Sequence, residues 1–571
     1  MEKDFISYLA SSQKKIFPDD IACSSIKSGS AFINEPYSIT LAFKTKEAMC
    51  KPVSISVNCD GLDISVYKVG FVPVTHPEGI RKGFASEDKG PGLYPDTLLK
   101  RKPQPELIEN ECFGVARYEK DENNTLNATC NSMQSVFITF NENGKDVKPG
   151  VYNIEITVLC NNTLEVLDKH IFTLNIINKK LPETDLMYTN WFHYDCLADI
   201  HGVNLYSDKY FEILEKYLSN AAKHKMNTLL IPAFTPPLDT YIGEERKNTG
   251  VVKIKKINNN YEFDFSELER IINLATKCGF KYFEHPHFFT QWGAKHAPNI
   301  YADDNGAYSR IFGWETDASG DEYKEFLNTY IPAFLDFAKG LGISDKLFFH
   351  ISDEPNESNE STYKKAAEHV KDLLKDYNSG DALSAIKFYN DGLVKTPIVQ
   401  IDHANHFFGK CDKFWLYYTG GYYPDNPTLD KCTNRLLSSK PYCTRILGLH
   451  LYKYKASGFL HWGYNFYYDK MSKGLFDPKT DACGYKQLPG ASYLAYPGIS
   501  DVIPSLREKY MSEAMDDYRA LKALEEYIGY DSVIKLCAEF FGKEINCFTI
   551  PENEQQMIDF REMINSEIEK Y

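Results

Sequence analysis

Two adjacent carboxylates, Asp353 and Glu354, are the side chains of this 571-residue sequence best placed to do chemistry. The apolar run Leu347-Phe348-Phe349-His350-Ile351 leads into them and Pro355 follows. On a regular strand, neighbouring side chains point to opposite faces. Both carboxylates reach one ligand only where the strand ends and the chain turns. Pro355 supports an ending there, because it removes a donor from any continuing ladder. A carboxyl pair is the usual equipment for breaking a glycosidic bond, and the member that protonates the leaving oxygen needs a raised pKa. The common retaining mechanism places its two carboxyls about 5–5.5 Å apart, on opposite flanks of the sugar. Sequence neighbours serve that arrangement poorly. They suit a substrate-assisted reaction, a recognised exception to the two-flank rule. There the sugar's own 2-acetamido oxygen attacks the anomeric carbon, one carboxylate orients the acetamido N–H, and the other acts as acid and then base. The plain alternative is an exposed acidic turn.

The elements that must hold this pair are repeating β/α units. From about Leu186, short buried strands alternate with amphipathic helices, the signature of parallel βα architecture. Candidate strands start near Leu186, Asn227, Phe280, Leu347, Ala385, Pro397, Phe414 and Gly458. Ser207 is expected to cap one helix, Ser266 and Glu269 to form a capping box on the next, and Gly279 to end that helix. A helix over 322–340 contains Pro332, a source of a kink. Eight strands with intervening helices predict a (β/α)8 TIM-like barrel, whose chemistry gathers at the C-terminal ends of the strands. Those ends mix aromatic rings with hydrogen-bonding groups, as a sugar site requires. On this basis Trp191, His193, His285, Trp292, Tyr417, Trp462 and Asn465 are candidate substrate-binding residues, with Trp462 and Tyr417 enclosing the sugar or its acetamido group.

Before the barrel, residues 1–182 alternate with period two, as in Tyr37, Ile39, Leu41 and Phe43 against Ser38, Thr40 and Ala42. This predicts an antiparallel β-sandwich with one face buried and one wet. The Pro- and Gly-rich stretch from Val72 to Phe113 reads as a long excursion. The barrel is expected over 183–498, followed by a helical extension over 499–571 that closes on it. The fold class is therefore multidomain α and β.

Composition narrows the partners. A net charge of −15, with no basic cluster, argues against nucleic acid and against anionic membrane surfaces. No apolar run approaches the ~18–20 residues of a membrane helix, so no membrane insertion is expected. The N-terminus lacks a basic start and apolar core, and the 14 cysteines are scattered. Together these predict free thiols and a cytoplasmic protein, or a secreted one if a signal was removed. The 39 Tyr, 36 Phe and 5 Trp fill cores for the most part, with a subset at the strand ends. Two rival readings stay open. His285-x-His287 and Asp402-His403-x-x-His406 are possible metal ligands of a barrel hydrolase. A non-catalytic glycan-binding protein would keep the aromatics without needing both carboxylates.

The segment Ile351-Ser352-Asp353-Glu354-Pro355 resembles the catalytic strand of glycoside hydrolase family 123. So does the run from Arg445 through Gly458-Phe459-Leu460-His461-Trp462-Gly463-Tyr464-Asn465, and so do Tyr496-Pro497-Gly498, Pro504-Ser505-Leu506-Arg507 and Asp516-Asp517-Tyr518. The resemblance implies a β-N-acetylgalactosaminidase that retains configuration through an oxazoline. Asp353 would stabilise the acetamido group and Glu354 would be the acid/base. It implies no metal or organic cofactor, and a glycan with β-linked N-acetylhexosamine as partner. The preference for galacto over gluco configuration comes from the resemblance alone.

Overall fold

The computed structural model describes residues 4–77, 87, 89–101, 107–110, 115–118, 126–163, 165–257, 260–420, 431–469, 471–484 and 488–571. Two five-stranded sheets form the N-terminal region. One runs Phe5–Ser11, Tyr37–Thr45, Gln134–Phe140, Ile64–Val74, Gly92–Arg101; the other runs Ser28–Phe32, Val166–Ile177, Gly150–Cys160, Lys51–Asn58, Leu126–Ala128. Pairing is antiparallel except between Ser28–Phe32 and Val166–Ile177. The expected alternation puts Ile39, Leu41 and Phe43 into one core with Val53, Ile55 and Ile156 of the opposite sheet. The face expected to be wet is covered. Thr40 and Ala42 are buried, and Tyr67, Val69 and Phe137 of the same sheet pack on Leu506 and Tyr510 of a C-terminal helix. Alternation separates two faces but does not say what covers the second. The Val72–Phe113 stretch begins and continues in paired strands (Val72 opposite Tyr94), so it is less of an excursion than expected; 78–86, 88, 102–106 and 111–114 lie outside the described residues.

The central region is built on parallel strands. One sheet runs Met187–Asn190, Gly458–His461, Trp415–Tyr417, Ile398–Gln400, Ala382–Leu383; the other runs Thr228–Leu230, Tyr282–His285, Leu347–Phe349, Asn378–Ser379. The sequence anticipates a single closed barrel, whereas ladder pairing gives two sheets. They meet where Asn227 N–H donates to Tyr188 O (3.1 Å), and where Asn378–Ser379 and Ala382–Leu383 succeed each other along the chain. These strands are two to four residues long. The fifth strand, expected near Ala385, lies earlier. Ala385 leads into the short helix Lys387–Asn390, and the strand position is filled by the two segments flanking Gly380-Asp381.

Ser207 accepts the Tyr210 N–H (3.3 Å) and Gly279 sits at φ 114°, both as expected. The Ser266 capping box is not formed. Ser266 is the first helical residue, and its N–H is taken by the Asp264 side chain (2.9 Å). The helix Asp321–Gly340 runs through Pro332. A four-stranded sheet that the βα pattern did not anticipate comprises Asn260–Asp264, Lys253–Ile257, Ile300–Asp304 and Ala307–Phe312, in that order. It arises from the connections after the second and third parallel strands.

The C-terminal helices Leu506–Ile528, Tyr530–Phe541 and Glu554–Glu569 share a core with Ile446, Leu449 and Phe32. Ser505 and Glu508 form the capping box of the first. Gly448 lets that helix approach closely, since a Cβ there would lie 2.1 Å from Ala514 O. Among the described residues no helix is long and apolar enough to cross a membrane.

Candidate active site

The strand Leu347–Phe349 stops just before the carboxylate pair. Its extension is held on both sides. Phe289 N–H donates to Ile351 O (3.0 Å), Trp292 N–H to Asp353 O (3.0 Å) and Ser352 Oγ to Thr290 O (2.8 Å). On the other side, the Asp381 carboxylate accepts Ile351 N–H (2.9 Å) and Ser352 N–H (3.1 Å). Glu354 then adopts φ 45°, a left-handed conformation that costs a non-glycine residue about 1–3 kcal/mol. This kink, followed by Pro355, breaks the strand alternation and lets consecutive carboxyls face one site. Trp292, in the facing loop, is also left-handed, at φ 58°.

Both carboxyls are half-buried and both titrate high. Burial, reinforced by the charges of Glu354 and Asp381, holds Asp353 well above the usual carboxylate range, against the Glu354 backbone N–H that favours its anion. Burial raises Glu354 as well, while Tyr417 and Trp292 hydrogen-bond its carboxylate and pull the other way. Tyr417 Oη donates to Glu354 Oε1 at 3.2 Å. Both carboxyls thus keep their protons to higher pH than free side chains do. Trp292 is 46% exposed although it touches Glu354, so part of its ring beside that carboxyl remains open.

Behind the pair lies a buried polar cluster. Glu284, the inward residue of the third parallel strand, is fully buried. Its Oε2 accepts Trp191 Nε1–H (2.9 Å) and His350 Nε2–H (2.8 Å). His287 stacks on His350 at 4.7 Å, and Trp191 meets both imidazoles edge-on. Trp191 thus stands at the site, but its indole N–H is already committed.

Several expected sugar contacts are placed elsewhere. His285 points away from Glu284, as strand alternation demands. It lies against Phe288, Phe334 and Phe349, with Nε2 bonded to Tyr330 Oη (2.9 Å) and Nδ1 to Pro286 O (2.7 Å). Burial lowers its pKa to about 3, so it is a neutral core residue. Asn465 is fully buried and spends its amide on the His193 backbone, accepting N–H (2.8 Å) and donating to O (3.0 Å). His193 is enclosed too. Nε2–H donates to Trp462 O (2.8 Å), and Nδ1 faces Arg246 (3.0 Å), whose guanidinium also grips Asp195. Burial and that guanidinium lower its pKa to about 3. His193 and Asn465 therefore lace the first strand end to the eighth. Half-buried Trp462 donates to Thr419 O (2.7 Å). The possible metal ligands do not converge. His285 and His287 face opposite sides of their segment, and His403 pairs with Asp402 (2.8 Å). Among the described residues no group of three or more His, Cys, Asp or Glu is arranged to hold a metal ion.

Asp381, Glu284 and Arg246 escaped sequence reasoning. Asp381 sits in Ser379-Gly380-Asp381, a Gly-containing stretch between strands, and Glu284 stands beside His285, whose imidazole is the more evident candidate. Strand parity alone would have favoured Glu284, because Phe283 and His285 share the face opposite to it.

A carboxyl pair of raised pKa at the end of a parallel strand, beside tryptophan and tyrosine, has the make-up of a glycoside hydrolase site. Residues 191–524 match the family described as Glycoside hydrolase 123, catalytic domain. The match spans more than half of the chain, which belongs to glycoside hydrolase family 123. A solved family 123 glycoside hydrolase from Clostridium perfringens, analysed for glycolipid glycan hydrolysis, superposes over 100% of this chain and 97% of its own, with a TM-score of 0.70 at 14% identity. Likeness to a family 5 mannosidase from Rhizomucor miehei is far looser: TM-score 0.30, 10% identity, 59% of this chain and 93% of that one. A family 2 beta-glucuronidase gives a TM-score of 0.26 at 10% identity, over 85% and 40%. No curated protein matches the sequence.

Proposed function

We propose that this glycosidase releases terminal β-linked N-acetylgalactosamine from oligosaccharide or glycolipid glycans by a retaining, substrate-assisted mechanism. The observation that carries the reading is the kinked Asp353-Glu354 pair, with both carboxyls raised in pKa and Glu354 held by Tyr417. The acetamido oxygen attacks C1 as the C1–O bond to the aglycone breaks. The departing oxygen keeps the bonding electrons and takes the proton of Glu354. Asp353 accepts the acetamido N–H and steadies the positive charge that grows as the oxazoline ring closes. Glu354, now a carboxylate, removes a proton from water as that water adds to C1, which reopens the ring and restores the acid. Two inversions give net retention.

In the free enzyme Asp353 is the more strongly raised of the two, whereas Glu354 must donate. The substrate resolves this, because an acetamido N–H arriving at Asp353 favours its anion and moves the shared proton onto Glu354. Glycolipid glycans enter as substrates through the Clostridium perfringens relative alone. In this reading the two parallel sheets are halves of one (β/α)8 barrel over 183–498, between a sandwich over 1–182 and helices over 499–571. The test is a panel of aryl β-glycosides that differ at C4 and in the presence of the 2-acetamido group. Turnover should need the acetamido group and favour the axial C4 hydroxyl. Comparable turnover of glycosides lacking the acetamido group would sink the mechanism.

A further inference from the structure

The edge between the fourth and fifth parallel strands is unusual. Leu347–Phe349 pairs with Asn378–Ser379 only through Phe348 and Phe349. One residue further, Gly380 N–H donates to Phe349 O (3.0 Å), and backbone pairing with the fourth strand stops. The next two donors on that strand, Ile351 N–H and Ser352 N–H, face no backbone carbonyl. They meet the Asp381 carboxylate, which accepts from Ile351 at 2.9 Å and from Ser352 at 3.1 Å through both oxygens. Tyr363 Oη, from the helix Glu360–Val370, closes the remaining position at 2.5 Å.

Asp381 cannot swing away. Its own carbonyl accepts Ile398 N–H (3.0 Å) and Ser379 O accepts Thr396 N–H (3.0 Å), which ties this segment to the sixth strand. Gly380 makes the approach possible, since a Cβ there would lie 1.8 Å from Thr396 O. The carboxylate is fully buried, and two of its three partners, Ile351 and Ser352, lie directly before the Asp353-Glu354 turn.

We propose that Asp381 is a positioning residue for the Asp353–Glu354 pair, a side-chain substitute for the missing ladder bonds that fixes the strand end from which both carboxyls project. The inference rests on the substrate-assisted reading above. Its electrostatic consequence follows from the same placement. The titratable groups facing Asp381 are Tyr363 on the helix, and His350 and Asp353 on the fourth strand. Burial raises Asp381 to about 7, and once ionised its charge helps to hold the Asp353 pKa up, which opposes the loss of the Asp353 proton.

Two substitutions separate position from charge. Asp381→Asn keeps an oxygen for Ile351 and Ser352 and turns an amide toward Tyr363, while removing the charge. Asp381→Ala removes the oxygens altogether. With an aryl 2-acetamido-β-galactoside, Asp381→Ala should lower kcat at least tenfold with KM within threefold. Asp381→Asn should recover most of that loss. In Asp381→Asn the acid limb of kcat should also move down by at least about half a pH unit, because a neutral neighbour lets Asp353 ionise earlier. A merely structural role would lower the melting temperature of both variants and leave the limb in place. If Asp381→Ala does not fold, Asp381→Asn decides alone: a pH profile superposing on that of an active wild type overturns the inference and leaves the reaction intact. A wild type that turns over no 2-acetamido glycoside refutes the reaction, and the inference with it.

Discussion

Tyr417→Phe isolates one hydrogen bond to Glu354, the proposed acid. The hydroxyl lies 3.2 Å from Glu354 Oε1, longer than the ~2.5–2.7 Å of a strong O–H···O⁻ bond. Hydrogen bonds to charged groups contribute about 1.5–3 kcal/mol, and this length places it below that range, at about 1 kcal/mol. The bond favours the Glu354 anion and so depresses its pKa. Removing it raises the pKa by about 0.7 unit, at 1.36 kcal/mol per unit. Glu354 then stays protonated to higher pH, and the alkaline limb of kcat moves upward by half to one unit. The ring keeps its packing among Trp191, Trp415 and Leu460, so folding is little affected. The measurement is kcat against pH with a poor leaving group, for which the acid is needed. A folded Tyr417→Phe enzyme whose alkaline limb stays in place, or moves down, refutes the assignment of Glu354 as the acid held by Tyr417.

Glu354→Gln should slow poor leaving groups by roughly 10²–10⁴ and activated aryl glycosides far less, since only the former need proton donation; Asp353→Asn should slow both classes, and near-wild-type rates in that variant would discard acetamido assistance. His285→Ala should destabilise the fold by about 3 kcal/mol in denaturant unfolding, because it opens a cavity among three phenylalanines and orphans Tyr330. The KM of that variant, measured below its melting temperature, should stay near wild type, whereas a sugar contact would raise it. Glu508 is buried and its pKa is raised from 4.5 to about 7, so the folded state holds its proton longer than the unfolded chain. Stability from this group is fully present below pH 4.5 and is lost as pH rises to about 7, by about 3 kcal/mol. Glu508→Gln should flatten the stability curve over that window.

The sequence by itself determined the parts of this protein that are local. Period-two and helical repeats place the strands and helices, because each element must bury one face. Asp353-Glu354-Pro355 marks a turn at which both carboxyls can reach one ligand, since a strand cannot present two consecutive side chains to one ligand and then continue through proline. Seven of the eight expected strand positions lie within a few residues of the observed ones, and the exception is the strand broken around Gly380-Asp381. Tertiary structure decided what each strand-end side chain faces. Glu284 and His285 are neighbours, yet one meets Trp191 and His350 in the interior while the other is sealed under Tyr330. Asn465 looks free to hold a sugar until the chain brings His193, 272 residues away in sequence, against it. Asp381 looks like part of a turn until Ile351 and Ser352 present two unpaired N–H groups. A buried polar atom takes whichever partner packing delivers, and that partner is chosen by contacts summed over the whole fold. Residue type therefore made these side chains candidates, and the long-range packing settled which remained available to a ligand.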